Sequence, residues 1–128
     1  MKRFIEAQES VYETVLQELK NRKKETYWMW FIFPQIEGLG NSYTARLYSL
    51  KNNEIKAYIN DKVLYNRLLE CCELIKDVNV EEVFGPVDTM KLKSSLTMFE
   101  MSSNNHIFTE LLNKHFGERC EFTISSLS

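Results

Sequence analysis

The loop from Gln35 to Ser42 carries the residues whose types and spacing best suit the binding of a small anion. Gly38 and Gly40 allow tight backbone turns, and Ser42 can cap a helix that begins near Tyr43. Free backbone N–H groups at the start of a helix attract phosphate and carboxylate groups. The loop lacks the third glycine of a dinucleotide fingerprint and the Gly-Lys-Ser/Thr ending of a P-loop, so a plain capped connection between helices is the alternative.

Two tryptophans, Trp28 and Trp30, precede this loop in the aromatic segment Tyr27–Gln35. An indole ring near a polar loop can stack on a base, a sugar or a proline. Residues two apart on a helix point in nearly opposite directions, so both rings cannot line one pocket. We take Trp28 as the ligand candidate; the alternative places both rings in the core.

Lys93 and Ser94 lie in a second unusual stretch, Met90–Phe99. Serine and threonine are mediocre helix formers, and lysine near the start of a helix opposes its dipole. Such a conflict between local preference and element can mark a functional site. The alternative is close helix packing, which small side chains permit.

Gln8 is a polar member of an otherwise apolar helical stripe, four residues after Phe4 and four before Tyr12. Its amide is predicted to face the interior and to need hydrogen-bond partners there. It either ties down a neighbouring loop or contacts a ligand.

The cysteines and histidines form no recognisable catalytic or metal-binding pattern. Cys71 and Cys72 fall on an apolar helix, where a thiol is inert, and the odd set completed by Cys120 has no Cys-x-x-Cys spacing. His106 and His115 are too far apart in the sequence to share a metal on one helix face. The sequence therefore predicts no catalytic residue, no metal site and no cofactor, and it leaves open whether the protein is an enzyme.

Length and composition predict one folded domain over residues 1–128. Hydrophobic residues make up 44% and charged residues 27% of the chain, which is ordinary for a soluble globular protein. The net charge of -2 counts against nucleic acid as a partner. The longest apolar run, Tyr27–Phe33, is too short to cross a membrane, and the N-terminus does not fit a signal or transit peptide. A cytoplasmic location with reduced thiols is predicted.

Helical periodicity covers most of the sequence, and no convincing alternating strand appears. The prediction is an all-α single compact domain of six or seven helices packed around the aromatic segment. Asp61, Asn79 and Asp88 are predicted helix N-caps, Gly117 is a predicted C-cap, and the tail from Glu118 is predicted to fray except for Phe122 and Ile124. The predicted helical segments are Arg3–Asn21, one or two irregular turns before Pro34, a helix from Tyr43, Glu54–Ile59, Lys62–Asp77, Val80–Phe84, Thr89–Ser102 and His106–Phe116.

Several stretches resemble a bacterial family of unknown function, and the likeness extends over nearly the whole chain. The stretches are Arg3–Gln8, Trp28–Gln35 with the glycine loop, Val83–Pro86 with Asp88, and Lys91–Phe99. The resemblance implies a compact all-helical fold and no established activity. Some members carry the label calpastatin, which would mean a disordered inhibitor and does not fit this composition.

Four positions depart from the pattern of that family. Tyr27 stands where histidine is common, Asp61 and Lys62 replace a usual His-Pro pair, and Tyr65 stands where glycine is frequent. A mechanism that needs histidine at position 27 or 61 therefore does not apply to this chain.

Three hypotheses for function follow from the sequence. The first is a non-catalytic helical module that binds a small anionic or phosphorylated ligand near the Gln35–Ser42 loop. The second is a protein–protein adaptor, and the third is an enzyme acting on a nucleotide-like substrate; the oligomeric state stays open. The candidate ligand-binding residues are Gln8, Trp28, Gln35, Gly38, Gly40, Ser42, Lys93 and Ser94.

Overall fold

The helical periodicity is realised as nine α-helices and one 3₁₀ turn, Asn52–Glu54, in a computed structural model that describes residues 1–128. No strand forms, and only an isolated bridge joins Ile36 to Leu50. The all-α class and the single compact domain are confirmed, whereas the count of six or seven helices is too low. The helices are α1 Lys2–Glu9, α2 Tyr12–Lys20, α3 Met29–Ile32, α4 Tyr43–Tyr48, α5 Ile55–Asn60, α6 Lys62–Leu74, α7 Val80–Ser102, α8 Ile107–His115 and α9 Glu121–Leu127.

The predicted first helix is divided into α1 and α2. The chain leaves α1 through a tight turn in which the Val11 N–H donates to the Gln8 carbonyl oxygen at 3.1 Å. Phe4 in α1 and Val15 in α2 are both fully buried. The apolar faces of both helices therefore reach the core, and the spacing of apolar residues alone does not reveal the break.

The tail is helical rather than frayed. α9 packs against α7, and the Cys120 N–H donates to the Thr97 hydroxyl at 3.0 Å just before α9 begins. Thr123 is fully buried, whereas Phe122 and Ile124, the side chains expected to anchor the tail, are exposed. The anchor is a contact between distant parts of the sequence, which local periodicity does not show.

Most predicted caps are present. The Asp61 carboxylate accepts from the Val63 and Leu64 N–H groups at 3.0 and 3.1 Å, and the Asn79 side chain accepts from the Glu82 N–H at 3.2 Å. Gly117 has a φ of 70°, as a glycine C-cap requires.

Asp88 was predicted to cap a helix, and this prediction is wrong. Gly85 is the one residue within α7 with non-helical dihedrals, and Pro86 resumes the helix directly after it. Asp88 therefore lies inside the helix, and its carboxylate pairs instead with Lys24 and Lys91 at 3.0 and 3.4 Å.

Four residues of the aromatic segment, Trp28, Met29, Ile32 and Phe33, are buried in the core. The Trp28 Nε1–H donates to the buried Glu18 carboxylate at 2.9 Å, and the Thr26 hydroxyl donates to the second Glu18 oxygen at 2.7 Å. The same carboxylate accepts the N–H groups of Glu25 and Thr26. Burial would raise the pKa of Glu18, but these hydrogen bonds outweigh it and lower the pKa. The charge thus fixes the entry of the segment into the core.

Candidate functional site

A solvent-accessible cavity of about 470 Å³ lies beside the central aromatic segment. One wall is a face of α7, a second is the segment that enters α9, and the third comes from α3 and the loop after it. The lining residues are Trp30, Gln35, Leu39, Val87, Met90, Lys91, Lys93, Ser94, Glu118, Arg119, Cys120 and Glu121.

The spacing of residues along α7 explains the first wall. Val87, Met90, Lys91 and Ser94 lie at positions i, i+3, i+4 and i+7 of a helix, so they share one face. That face is only partly covered by other elements, since Val87 and Met90 are exposed while Ser94 is buried. The wall therefore changes from apolar at its rim to polar at its base.

Lys93 is the least satisfied charge in the cavity. Its side chain is only 12% exposed, and its ammonium lies 3.9 Å from the Glu118 carboxylate, which is itself 71% exposed. That separation is longer than a hydrogen bond. The Lys93 ammonium thus has no hydrogen-bond acceptor within the protein, although most of its side chain is removed from water.

The other two cations of the cavity are already paired. The Lys91 ammonium lies 3.7 Å from the centre of the Trp30 ring and 3.4 Å from the Asp88 carboxylate. The Arg119 guanidinium donates to both oxygens of Glu100, at 2.9 and 2.6 Å. The Arg119 hydrogen bonds hold the pKa of Glu100 below its ordinary value. These cations shape the walls, and Lys93 is the cation of the cavity with the longest ion-pair separation, 3.9 Å to Glu118.

Gln35 supplies the second uncommitted polar group. Its backbone oxygen accepts the Leu50 N–H at 2.9 Å, and this bond fixes the start of the loop. Its side-chain amide lines the cavity and has no hydrogen-bond partner in the protein. Because an amide has both donors and acceptors, Gln35 can bind either kind of ligand atom.

Gly40 lies next to the cavity, in a small recess that shares Trp30, Gln35 and Leu39 with it. A Cβ atom at Gly40 would lie 2.8 Å from the Ala45 Cβ. The close approach of the loop to α4 therefore requires glycine here.

Cys120 is a cavity residue that the sequence did not point out. The Ser94 hydroxyl lies 3.3 Å from its sulfur. Burial would raise the pKa of the Cys120 thiol, but the hydrogen bond from the Ser94 hydroxyl and those from the backbone N–H groups of Thr123 and Phe122 outweigh it and lower the pKa. By contrast, burial raises the pKa of Cys71 to about 12 and that of Cys72 well above its ordinary value. Trp30 and Lys91 were also not among the candidates.

The predicted ligand-binding residues divide into two groups. Gln35, Lys93 and Ser94 converge on the cavity, and Gly40 lies beside it. Trp28 lies in the core, so Trp30 is the tryptophan that reaches the cavity.

The remaining candidates have structural contacts elsewhere. The Gln8 amide donates to the Phe31 carbonyl oxygen at 2.8 Å and accepts from Arg67 at 3.2 Å. Ser42 accepts the Ala45 N–H at 3.1 Å as the cap of α4. A Cβ atom at Gly38 would meet the Phe122 ring at 2.9 Å, so Gly38 serves the packing of the loop against α9.

Fold and cavity together define the class of this protein: a small all-helical domain with a mixed polar and apolar cavity at its aromatic centre. The sequence matches the family described as "Protein of unknown function (DUF1810)" over residues 1–127, and the chain belongs to that family.

One solved structure is similar along almost the whole chain. It is the crystal structure of the conserved hypothetical protein Rv1873 from Mycobacterium tuberculosis, with 41% sequence identity and a TM-score of 0.95. The likeness covers 98% of this chain and 94% of that chain. A comparison with curated proteins gives no match. None of the helices is long and apolar enough to cross a membrane.

Proposed function

We propose that this protein is a binding module that holds a small anionic or phosphorylated ligand in the cavity between α7, Gln35 and Cys120. The observation that carries the proposal is the Lys93 side chain, which is only 12% exposed and whose ammonium has no hydrogen-bond acceptor in the protein, with the Glu118 carboxylate 3.9 Å away. A partly buried charge that lacks a hydrogen bond costs free energy. An anion within hydrogen-bond distance of Lys93 would offset this cost.

The ligand has anchoring points of more than one kind. A charge-assisted hydrogen bond from Lys93 would contribute about 1.5 to 3 kcal/mol. The free Gln35 amide would orient the polar part of the ligand, and Trp30, Leu39 and Met90 offer apolar surface beside it. This combination of apolar walls and a few polar groups is typical of sites for small molecules.

The size and charge of the cavity limit the ligand further. A volume of about 470 Å³ suits a molecule of metabolite size rather than a polymer. Glu118 and Glu121 at the rim oppose anions that extend out of the cavity. The ligand is therefore expected to carry its negative charge at one end, near Lys93.

Titrations with inorganic phosphate and with AMP test this proposal. Isothermal titration calorimetry and thermal unfolding should both show binding to the unaltered protein, and Lys93→Gln should weaken binding at least tenfold. Lys56→Gln is the matched control, since Lys56 is exposed on α5. Equal binding by the two variants, or no binding of either compound to the unaltered protein, would overturn the proposal for phosphorylated ligands.

A protein partner is the second candidate. Val87 and Met90 are 69% and 56% exposed at the rim of the same cavity. Aliphatic and methionine side chains of this kind are common at protein interfaces. A partner whose binding is weakened by Val87→Ser or Met90→Ser, but not by Lys93→Gln, would favour an adaptor.

We also propose a cytoplasmic location. All three cysteines are free thiols, and a reducing compartment maintains that state.

A further inference from the structure

Cys120 faces the proposed ligand site with a hydroxyl group beside its sulfur. The Ser94 hydroxyl lies 3.3 Å from the sulfur and 3.2 Å from the Met90 carbonyl oxygen, so its single proton can be directed to either acceptor. Thr123, three residues after Cys120, is fully buried, and its hydroxyl has no hydrogen-bond partner in the protein. The Ser94 hydroxyl can stabilise negative charge on the sulfur.

The charges around the cavity favour an anion near this sulfur. Lys93 is adjacent to Ser94 in the sequence, and both residues line the cavity with Cys120. The other cations, Lys91 and Arg119, are paired with Asp88 and Glu100. The carboxylates that line the cavity, Glu118 and Glu121, are exposed. Lys93 has only the exposed Glu118 carboxylate, at 3.9 Å, as a partner, so it is the cation most available to a thiolate or to an anionic ligand beside it.

The position of Cys120 also differs from that of the two other cysteines. Cys71 and Cys72 are fully buried in the core, whereas Cys120 is partly exposed on the cavity wall. A small molecule in the cavity can reach the Cys120 sulfur without any opening of the core. Only this cysteine combines access with groups that stabilise a thiolate.

We propose that Cys120 is a nucleophile that forms a covalent bond with a ligand whose electrophilic carbon lies next to an anionic group. The inference rests on the proposed function, because the cavity is taken as the ligand site and Lys93 as the partner of the anionic group. The proton of the thiol passes to water before the attack. Sulfur then forms a bond to the carbon as the leaving group departs with its bonding electron pair, and no oxidant or reductant is needed.

Two alkylating reagents test the inference, because iodoacetate carries a carboxylate where iodoacetamide carries a neutral amide. Each forms a carbon–sulfur bond and releases iodide. The rate at each cysteine is measured by mass spectrometry of the folded full-length chain, with glutathione as the reference thiol. Cys120 is expected to react while Cys71 and Cys72 do not.

Two quantities should distinguish Cys120 from an ordinary thiol. Its rate with iodoacetamide should reach half-maximum below pH about 8.5, the value for a free cysteine, and Ser94→Ala should move this midpoint upward. The ratio of the iodoacetate rate to the iodoacetamide rate should exceed that of glutathione at least fivefold. Lys93→Gln should remove the excess, Lys93→Arg should keep it, and Lys56→Gln should leave it unchanged.

The inference is overturned if Cys120 does not react in the folded protein, or if its midpoint and rate ratio equal those of glutathione. It is also overturned if Lys93→Gln leaves the ratio unchanged. Phosphate titration of the unmodified protein separates the two proposals. If phosphate binds but Cys120 is alkylated like glutathione, only the proposal for the nucleophile is refuted. If the alkylation rate of Cys120 depends on Lys93 but neither phosphate nor AMP binds, only the proposal for a phosphorylated ligand is refuted.

Discussion

The two tryptophans lie two residues apart and belong to regions that differ in how a largely buried charged side chain is hydrogen-bonded. Around Trp28, the Glu18 carboxylate accepts four hydrogen bonds from the segment that enters the core. Around Trp30, the Lys93 ammonium of the neighbouring cavity has no hydrogen-bond acceptor at all. A satisfied buried charge stabilises a fold, whereas an unsatisfied one is retained at a cost to stability. The difference supports a structural role for Glu18, and it is the basis of the ligand site that we propose at Lys93.

The largest effect that this comparison predicts is for Glu18→Ala. The Trp28 indole N–H and the donors of residues 25 and 26 would lose their common acceptor, and the free energy of unfolding should fall by about 3 kcal/mol. Urea unfolding measures this loss, and Glu13→Ala on the exposed side of α2 is the control. A loss below about 1 kcal/mol would mean that Glu18 is not the structural charge we describe.

Gln8→Ala should be the next largest change. The Phe31 carbonyl oxygen and the Arg67 guanidinium would each lose a partner, and the free energy of unfolding should fall by about 2 kcal/mol. Gln17→Ala, at an exposed position of α2, provides the comparison in the same urea experiment. Unaltered phosphate binding by Gln8→Ala would support the assignment of Gln8 to the scaffold, and lost binding in a stable variant would contradict it.

The pH dependence of stability should show part of the Glu18 effect. The pKa of Glu18 is lower in the folded protein than its ordinary value of about 4.3, so its stabilising contribution is present above that value. The contribution is lost as the pH falls through the folded pKa. Glu18→Gln should therefore lose less stability than the unaltered protein between pH 5 and pH 3. If the free energies of unfolding of the two proteins fall in parallel over this pH range, the loss of stability in acid comes from other carboxylates with a lowered pKa, such as Glu54 and Glu100.

The smallest effect, and the one with the opposite direction, is for Lys93→Gln. Removal of a charge on a mostly buried side chain that has no hydrogen-bond acceptor should leave the free energy of unfolding unchanged or raise it by about 1 kcal/mol. Thermal and urea unfolding in a buffer without phosphate measure this change. A loss of more than about 1 kcal/mol would show that Lys93 supports the fold, and the contrast with Glu18 would then disappear.

The contacts around the two tryptophans could not be predicted equally well from the sequence. Gln8 could be recognised as a buried amide because its position in a helical stripe is a local property. The assignment of Trp28 to the ligand site did not agree with its place in the core, because the two-residue spacing shows only that the rings diverge. Which ring faces the core depends on Glu18, which is ten residues earlier and bonds the Trp28 indole.

Part of the cavity could be predicted from local sequence properties. Lys93 and Ser94 stood out because their types conflict with the local preferences of a helix. Cys120 gave no such signal, since the tail lacks a strong apolar stripe. Its place on the cavity wall depends on contacts with Ser94 and Thr97 on α7.

The sequence by itself determined the helical class, most of the caps and the aromatic centre, because spacing and capping act over a few residues. Only the tertiary structure decided that Trp30 rather than Trp28 meets the cavity, that the tail forms α9, and that Cys120 lies against Ser94. Those outcomes depend on which distant surfaces pack together. Such packing buries most of the Lys93 side chain and leaves its ammonium without a hydrogen-bond acceptor, and no pattern of neighbouring residues shows that arrangement.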